Sequence, residues 1–334
     1  MTDAGLSVVI PFYSHSSDLS PLLLSLEQSF SSLCVSDQKN IEIIIVNDSS
    51  PCSPRESLIL PLRRIDLAVN RGVGATRNVG IKAATFNCFF CLDSDTFVPV
   101  DFFEKVKKVR QLHGHEPIIQ GIVLEKTGAS RFQKYLSIVN FADASIYRSG
   151  DYAEFLCSGC FMSTKDFWEE IGYFEEKFTA SGGEEFEILS RIPFRSIYQS
   201  FLIEVQHDYD NMGVRIRKIW HRSKHYTKTA ALNPRFSLAL KLAAGARLLL
   251  SVLMFFGAAV LFLDFSFGIT LIGLAYLGFL VADGGRYARY IFDRGGLWLL
   301  LLSPFFLFLE YFTAGLGAIF HGSTLIRNWR RRRD

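Results

Sequence analysis

Residues 88–96 read Cys-Phe-Phe-Cys-Leu-Asp-Ser-Asp-Thr, and this stretch restricts the fold more tightly than any other. An apolar run without alternation needs cover on both faces, as an interior strand has in a sheet clad by helices. The run stops at Asp93 and Asp95, two carboxylates separated by one serine. On extended backbone, residues i and i+2 project to the same side, so both carboxylates are expected to face one cleft at the strand's carboxyl end. Oxygen donors of that kind suit a hard divalent cation, Mg²⁺ or Mn²⁺, with substrate phosphates completing the shell. The plain alternative is a strand closed by a polar turn.

The neighbours decide between these readings. Leu6 to Phe12 and Ile41 to Asn47 are short β-branched runs, and Ser20 to Leu33 between them has helical apolar spacing, which gives a β-α-β pattern. A second cycle follows: a strand over Ile65 to Val69, a Gly-containing turn at Arg71-Gly72-Val73-Gly74, a helix through Ala84, and the strand that delivers Asp93. The expected fold is α/β, a Rossmann-like, mostly parallel sheet with helices on both faces. Ligands of such sheets bind beyond the carboxyl ends of the strands, where Asp48, Asn70 and Asp93 are expected to converge.

Several motifs follow one another in a set order. They are Val-Val-Ile-Pro11-Phe-Tyr, Ile-Val-Asn-Asp48-Ser-Ser, Asn70-Arg71-Gly72-x-Gly74-Ala75-x-Arg77-Asn78 and Asp93-Ser94-Asp95. Further on stand Ser158-Gly159-Cys160, Gly172-Tyr173-Phe174-Glu175, Gly183-Glu184-Glu185-Phe186-Glu187 with Arg191, and Val205-Gln206-His207. In order and spacing, residues 5 to 228 resemble the family 2 glycosyltransferases of the GT-A fold, inverting enzymes that use nucleotide sugars.

The resemblance implies a role for each motif, and each residue also has a plainer reading. Asp48 would accept from the nucleotide base, alongside Pro11 and Asn70 at the same edge; alone it reads as a turn cap. Arg77 and Asn78 sit one turn into a helix, where free N–H groups and the dipole favour phosphate; an exposed helix arginine is the ordinary alternative. Asp95 would bind the metal, with Asp93 on ribose or reaching the cation through water, and His207 would complete the metal or diphosphate shell. Relatives commonly carry Glu-Asp where this chain has Glu184-Glu185, the aspartate acting as general base. Glutamate has the same chemistry with an added methylene, and a displacement of about an ångström can be costly. An adapted base at Glu185, a base at Glu184, and an acceptor that needs no base, such as a polyprenyl phosphate, all remain open.

Composition changes near residue 235. Leu248 to Leu263 and Phe265 to Ala282 carry no charge over 16 and 18 residues, with only Asp264 between them. Both approach the length that spans a bilayer, and they are expected to form a helical hairpin over about 246–263 and 265–283. Lys241, Arg247, Arg286, Arg289 and Arg294 place its outer ends in the cytoplasm. Within Leu297 to Phe320, Pro304 and Glu310 suggest a re-entrant or interfacial hairpin, a third full span being the alternative. Val214 to Lys228 interleaves Arg215, Arg217, Lys218, Arg222 and Lys224 with Ile219 and Trp220, which suits an interfacial helix whose Arg222 and Lys224 could meet an acceptor phosphate. The expected organisation is a catalytic domain over 1–210, a basic interfacial helix and linker over 211–235, membrane helices over 236–322 and a basic tail over 323–334.

A net charge of +3, with the cations gathered near apolar segments, argues against nucleic acid as partner. No signal peptide is expected, since Met1-Thr2-Asp3-Ala4 lacks a basic start, so the catalytic domain should face the cytosol from a multi-pass anchor in the cytoplasmic membrane. The pairs Cys88/Cys91 and Cys157/Cys160 are expected in strands, where i and i+3 point apart, and so as buried thiols and not zinc ligands. The sequence as a whole reads as a metal-dependent enzyme moving one sugar from a UDP-linked donor to a lipid acceptor. The alternatives are a processive polysaccharide synthase, whose Gln-x-x-Arg-Trp signature is missing, a sugar nucleotidyltransferase, which would need a Gly-rich basic loop after the first strand, and a catalytically silent membrane scaffold. The sugar, the nucleobase and the oligomeric state leave no mark in the sequence.

Overall fold

A computed structural model describes residues 5–13, 19–51, 57, 59–126, 128–146, 148–149, 151–178, 184–229, 238–282 and 285–330. The strands are β1 (Leu6–Phe12), β2 (Ile41–Asn47), β3 (Leu62–Asp66), β4 (Cys88–Leu92), β5 (Thr96–Phe97), β6 (Ile118–Glu125), β7 (Arg148–Ser149), β8 (Tyr152–Ala153), β9 (Cys160–Thr164) and β10 (Ile197–His207). The helices are α1 (Ser20–Ser32), α2 (Val35–Gln38), α3 (Val73–Ala83), α4 (Phe102–His113), α5 (Arg131–Ile146), α6 (Lys165–Ile171), α7 (Glu184–Leu189), α8 (Met212–Thr229), α9 (Leu238–Val260), α10 (Phe265–Val281) and α11 (Arg286–Arg330). They fall into two compact units, residues 1–126 with 148–208, and residues 127–147 with 209–334. The segment 127–147, which the sequence reading kept within the catalytic domain, clusters with the C-terminal unit.

The first unit is built on one sheet ordered β3-β2-β1-β4-β9-β6-β10-β8-β7, with β5 paired to β10. β3, β2, β1 and β4 run parallel, β9 is antiparallel to both β4 and β6, and β6 is parallel to β10. The parallel strands thus end on one edge, and the turn before the reversed β9 reaches the same edge. Alternate residues serve opposite faces. Val8, Ile10, Ile43, Ile45, Phe90 and Leu92 join Leu22 and Leu26 of α1 and Phe103 and Val106 of α4 in one core. Ile44 and Val46 pack with Ala84 on the other face. There Trp168 of α6 lies against Phe89 and Phe161.

β3 lies at Leu62–Asp66, not at Ile65–Val69, with Ile43 paired to Leu62 and Asn47 to Asp66. It is a sheet edge, where exposed Arg63 and Arg64 are at home, so an apolar run is a poor guide to it. The shift leaves Asn70 in the exposed loop after β3 instead of at a strand end.

In the second unit α9 and α10 are consecutive and packed together, with Gly257 against Leu271 and Gly278 against Leu250. Asp264 caps α10 by accepting from the Phe267 N–H at 2.9 Å. α11 is non-helical at Gly296 and continues as helix through Pro304 and Glu310, so the re-entrant hairpin expected there is not formed. Glu310 needs no chain reversal because Arg215 Nε of α8 lies 2.7 Å from it. Arg286–Phe320 is long and apolar enough to cross a membrane, whereas Ala244–Val260 and Phe265–Val281 are shorter apolar helices. α8 turns buried Ile219 and Ser223 inward, and Trp220 meets Phe320 of α11 with ring centroids 5.6 Å apart. The apolar side of α8 is therefore largely taken by protein.

Candidate active site

The carboxyl edge of the sheet collects the acids. β4 ends at Leu92, and residues 93–95 turn back before β5. Thr96 closes that turn, its Oγ1–H donating to the Asp93 carbonyl at 2.6 Å. Because the backbone turns instead of staying extended, the two aspartates do not share a strand face, and each has a partner of its own. Asp93 Oδ1 accepts from Arg77 Nη2 at 2.7 Å. Asp95 Oδ2 lies 3.1 Å from His207 Nε2, and its side chain is 54% exposed. Antiparallel pairing of His207 with Thr96 brings those two together from opposite parts of the chain.

The metal fit follows from this donor set. Asp95 and His207 supply one oxygen and one nitrogen at an open edge, while among the described residues no group of three His, Cys, Asp or Glu is placed to hold an ion. Two protein donors with substrate phosphates filling the shell match how Mg²⁺ and Mn²⁺ are held beside nucleotides. Asp93, turned to Arg77, is not a direct partner in that pair.

Arg77 departs from the phosphate-binding expectation. α3 carries it inward to 3% exposure, with Nη1 3.8 Å from Glu184 Oε1 and the guanidinium carbon 5.7 Å from the Phe174 ring. Burial alone would lower its pKa, but Asp93 and Glu184, with Glu185 behind them, hold it above its ordinary value. Its guanidinium serves half-buried Asp93 and buried Glu184 and does not stand exposed on the helix surface.

Asn78 is also redirected. Its Oδ1 accepts from the Phe174 N–H at 3.0 Å, and its amide donates to the Phe174 carbonyl at 2.8 Å and to Glu176 at 3.2 Å. Both ends of its amide have protein partners, so Asn78 clamps the Gly172–Glu176 loop. Asp48 is buried and accepts from the N–H groups of Arg71 at 2.7 Å and Gly72 at 2.9 Å, the cap-like arrangement. Gly72 enters α3 at φ 86°, a region that favours glycine, so this bracing sets where the helix starts. Pro11 is buried in β1, beyond Val9, the last residue of β1 in register with β4.

The acid segment separates its two candidates. Glu184, 2% exposed, faces Arg77, whereas Glu185 is half-buried and accepts a short hydrogen bond from the Ser158 hydroxyl. Glu187 pairs with Arg191 one turn on at 2.7 Å. Gly182 and Gly183 lie outside the described residues. Sequence reasoning gave no role to the 157–160 turn that supports these groups. Asp93 N–H donates to the Gly159 carbonyl at 3.1 Å, and the Cys157 N–H donates to Oε1 of buried Gln120 at 2.8 Å. The Ser-Gly-Cys motif was visible, but its contacts depend on β9 being reversed. Cys157 lies in this turn and not in a strand. Burial pushes the thiols of Cys91 and Cys157 up to about 12, so they stay protonated beside the acids. Arg222 lies on α8 in the second unit, and the Lys224 side chain is outside the described residues.

Comparison with known proteins agrees with this architecture. Residues 7–172 match the family model "Glycosyl transferase family 2". An uncharacterized glycosyltransferase of Haemophilus influenzae is 33% identical over 120 residues, 35% of this chain and 37% of its own length. A poly-beta-1,6-N-acetyl-D-glucosamine synthase of Staphylococcus epidermidis is 27% identical over 185 residues, 51% of this chain and 42% of its own. The chain thus spans less than half the length of these relatives. Among solved structures, a mannosyltransferase from Pyrobaculum calidifontis is similar in fold, with a TM-score of 0.56 at 14% identity over 94% of this chain and 86% of that one. The motifs, the sheet and the family match converge on one domain: residues 7–172 match the glycosyl transferase family 2 model and are built on a GT-A-like α/β sheet.

Proposed function

We propose that the enzyme transfers a single sugar from a UDP-linked nucleotide sugar to a lipid-borne acceptor at the cytoplasmic membrane, by direct displacement with inversion. The observation that carries this reading is the Asp95–His207 pair, 3.1 Å apart at the edge where the parallel strands end. Asp95 and His207 would hold Mn²⁺ or Mg²⁺ there. When bound, the cation would neutralise the diphosphate as the anomeric bond weakens. The similar mannosyltransferase is described in complex with GDP-Man and Mn²⁺, which supports a nucleotide sugar as donor class. Asp93, fixed by Arg77, faces the ribose side, and the loop braced by Asp48 with exposed Asn70 borders the base. For an acceptor hydroxyl, half-buried Glu185 takes the proton as the oxygen attacks. Glu184 is buried with its Oε1 3.8 Å from Arg77 Nη1, so it is turned to the guanidinium and is not the candidate base.

The membrane part of the reading rests on apolar side chains exposed along α9 and α10 and in the turn between them, among them Leu249, Phe256, Phe262, Leu263 and Leu277. A bilayer would cover such a surface, whereas water would not favour it. A second reading, chain elongation, is favoured by the stretch shared with the polysaccharide synthase.

The test incubates detergent-purified full chain with Mn²⁺, a panel of nucleotide sugars and membrane lipid extract. Mass spectrometry should find one sugar added to a lipid, turnover abolished in Asp95→Ala, and donor binding without hydroxyl transfer in Glu185→Gln. Products carrying a ladder of sugars would transfer the case to the synthase reading. Nucleotide binding without turnover on any acceptor would leave a silent scaffold.

A further inference from the structure

Arg77 is placed where neither phosphate binding nor core packing accounts for it. Its side chain is 3% exposed, yet Nε and Nη1 have no hydrogen-bond partner among the described residues. Leaving buried donors idle is costly, so a residue kept in this state has work at the position. One edge of the fork holds Asp93 at 2.7 Å, and the other stands 3.8 Å from Glu184, within ion-pair range but short of a hydrogen bond. Those acids belong to different elements. Asp93 follows β4 at the donor side, while Glu184 opens α7, whose next residue is Glu185. Glu184 also packs close to α3, since a Cβ on Gly74 would lie 3.4 Å from the Glu184 Cβ. A guanidinium presents donors in a fixed plane, so it can set a distance between two carboxylates, which a lysine ammonium cannot.

We propose that Arg77 is a positioning residue that sets the spacing between the donor-side turn and the acid helix, holding Asp93 with one edge and aiming Glu185 through Glu184 with the other. The inference rests on Glu185 being the base of the proposed reaction. Arg77 touches no reacting atom, and its charge is unchanged through the cycle.

Three variants test it: Glu184→Gln, Arg77→Lys, and the two combined. Each is measured for donor KM, for kcat, and for binding of UDP with Mn²⁺ by calorimetry without acceptor. Glu184→Gln leaves the Asp93 contact intact, so kcat should fall about tenfold with nucleotide affinity and donor KM unchanged. Arg77→Lys, which keeps the charge but loses the fork, should lower kcat similarly and also weaken nucleotide binding. The combination should be no slower than Arg77→Lys alone. Wild-type kcat in Glu184→Gln, or additive losses in the combination, overturns the proposal. So does a loss in Glu184→Gln as deep as in Glu185→Gln, which would make Glu184 the base. If Arg77→Lys fails to fold, Glu184→Gln decides alone. A wild type that turns over no donor defeats the functional reading, whereas normal wild-type turnover with unaffected variants defeats only this inference.

Discussion

Gly159 shows how little room the acids have. A Cβ there would fall 2.1 Å from Asp93 Oδ2 and 2.5 Å from its Cγ, so any larger residue must displace that carboxylate. Gly159→Ala is expected to cost about 1–3 kcal/mol of stability through overpacking. It should also weaken UDP binding in the presence of Mn²⁺ by tenfold or more, read by calorimetry on protein whose circular dichroism is unchanged. At this scale the sequence was informative about identity and poor about partners. Asp95 and His207 were legible because a strand end and a polar side chain suffice to place them at the edge. Asn78 and Arg77 were not, since phosphate binding and loop clamping call for the same polar residues at a helix start. Only the Phe174 backbone and the neighbouring acids tell those roles apart.

The same division holds for elements. β1, β2, β4, α1 and α3 were legible from apolar period and turn residues, because each buries a face whose pattern must show. β3 was misplaced because an edge strand is excused from that pattern. The hairpin expected at Pro304 was read from a helix breaker and a charge, but Arg215 supplies the charge with a partner and the helix continues. Loop 172–176 depends on one clamp from α3, so Asn78→Ala leaves the Phe174 N–H and carbonyl without their buried partner. That change should destabilise the protein by about 1–3 kcal/mol. The melting temperature should drop by several degrees while donor affinity in the surviving fold stays near normal. A selective loss of nucleotide binding without a change in melting would return Asn78 to the ligand side.

For the molecule as a whole, the sequence separated an α/β part from an apolar helical part, and the contact pattern divides the chain along similar lines except for residues 127–147. That exception could not be read, because α5 joins the C-terminal helices through tertiary contacts such as Phe132 and Tyr135 with Phe306, at 5.0 and 4.9 Å between ring centroids. With exposed leucines and phenylalanines along α9 and α10, the full chain should sediment with membranes and stay there through an alkaline carbonate wash, as followed by immunoblot. Release into the supernatant would mean that something other than a bilayer covers those helices.

The direction of β9 has a consequence for how such an enzyme can diversify. Because β6 finishes on the rim where its parallel neighbours finish, and β9 begins there, the chain between them departs from the catalytic rim and comes home to it. That excursion carries α5, which packs against Phe306 of α11, and β8, which pairs with β10, so a stretch taken from a relative would have to bring compatible partners for both while β1, β2 and β4 stay in register.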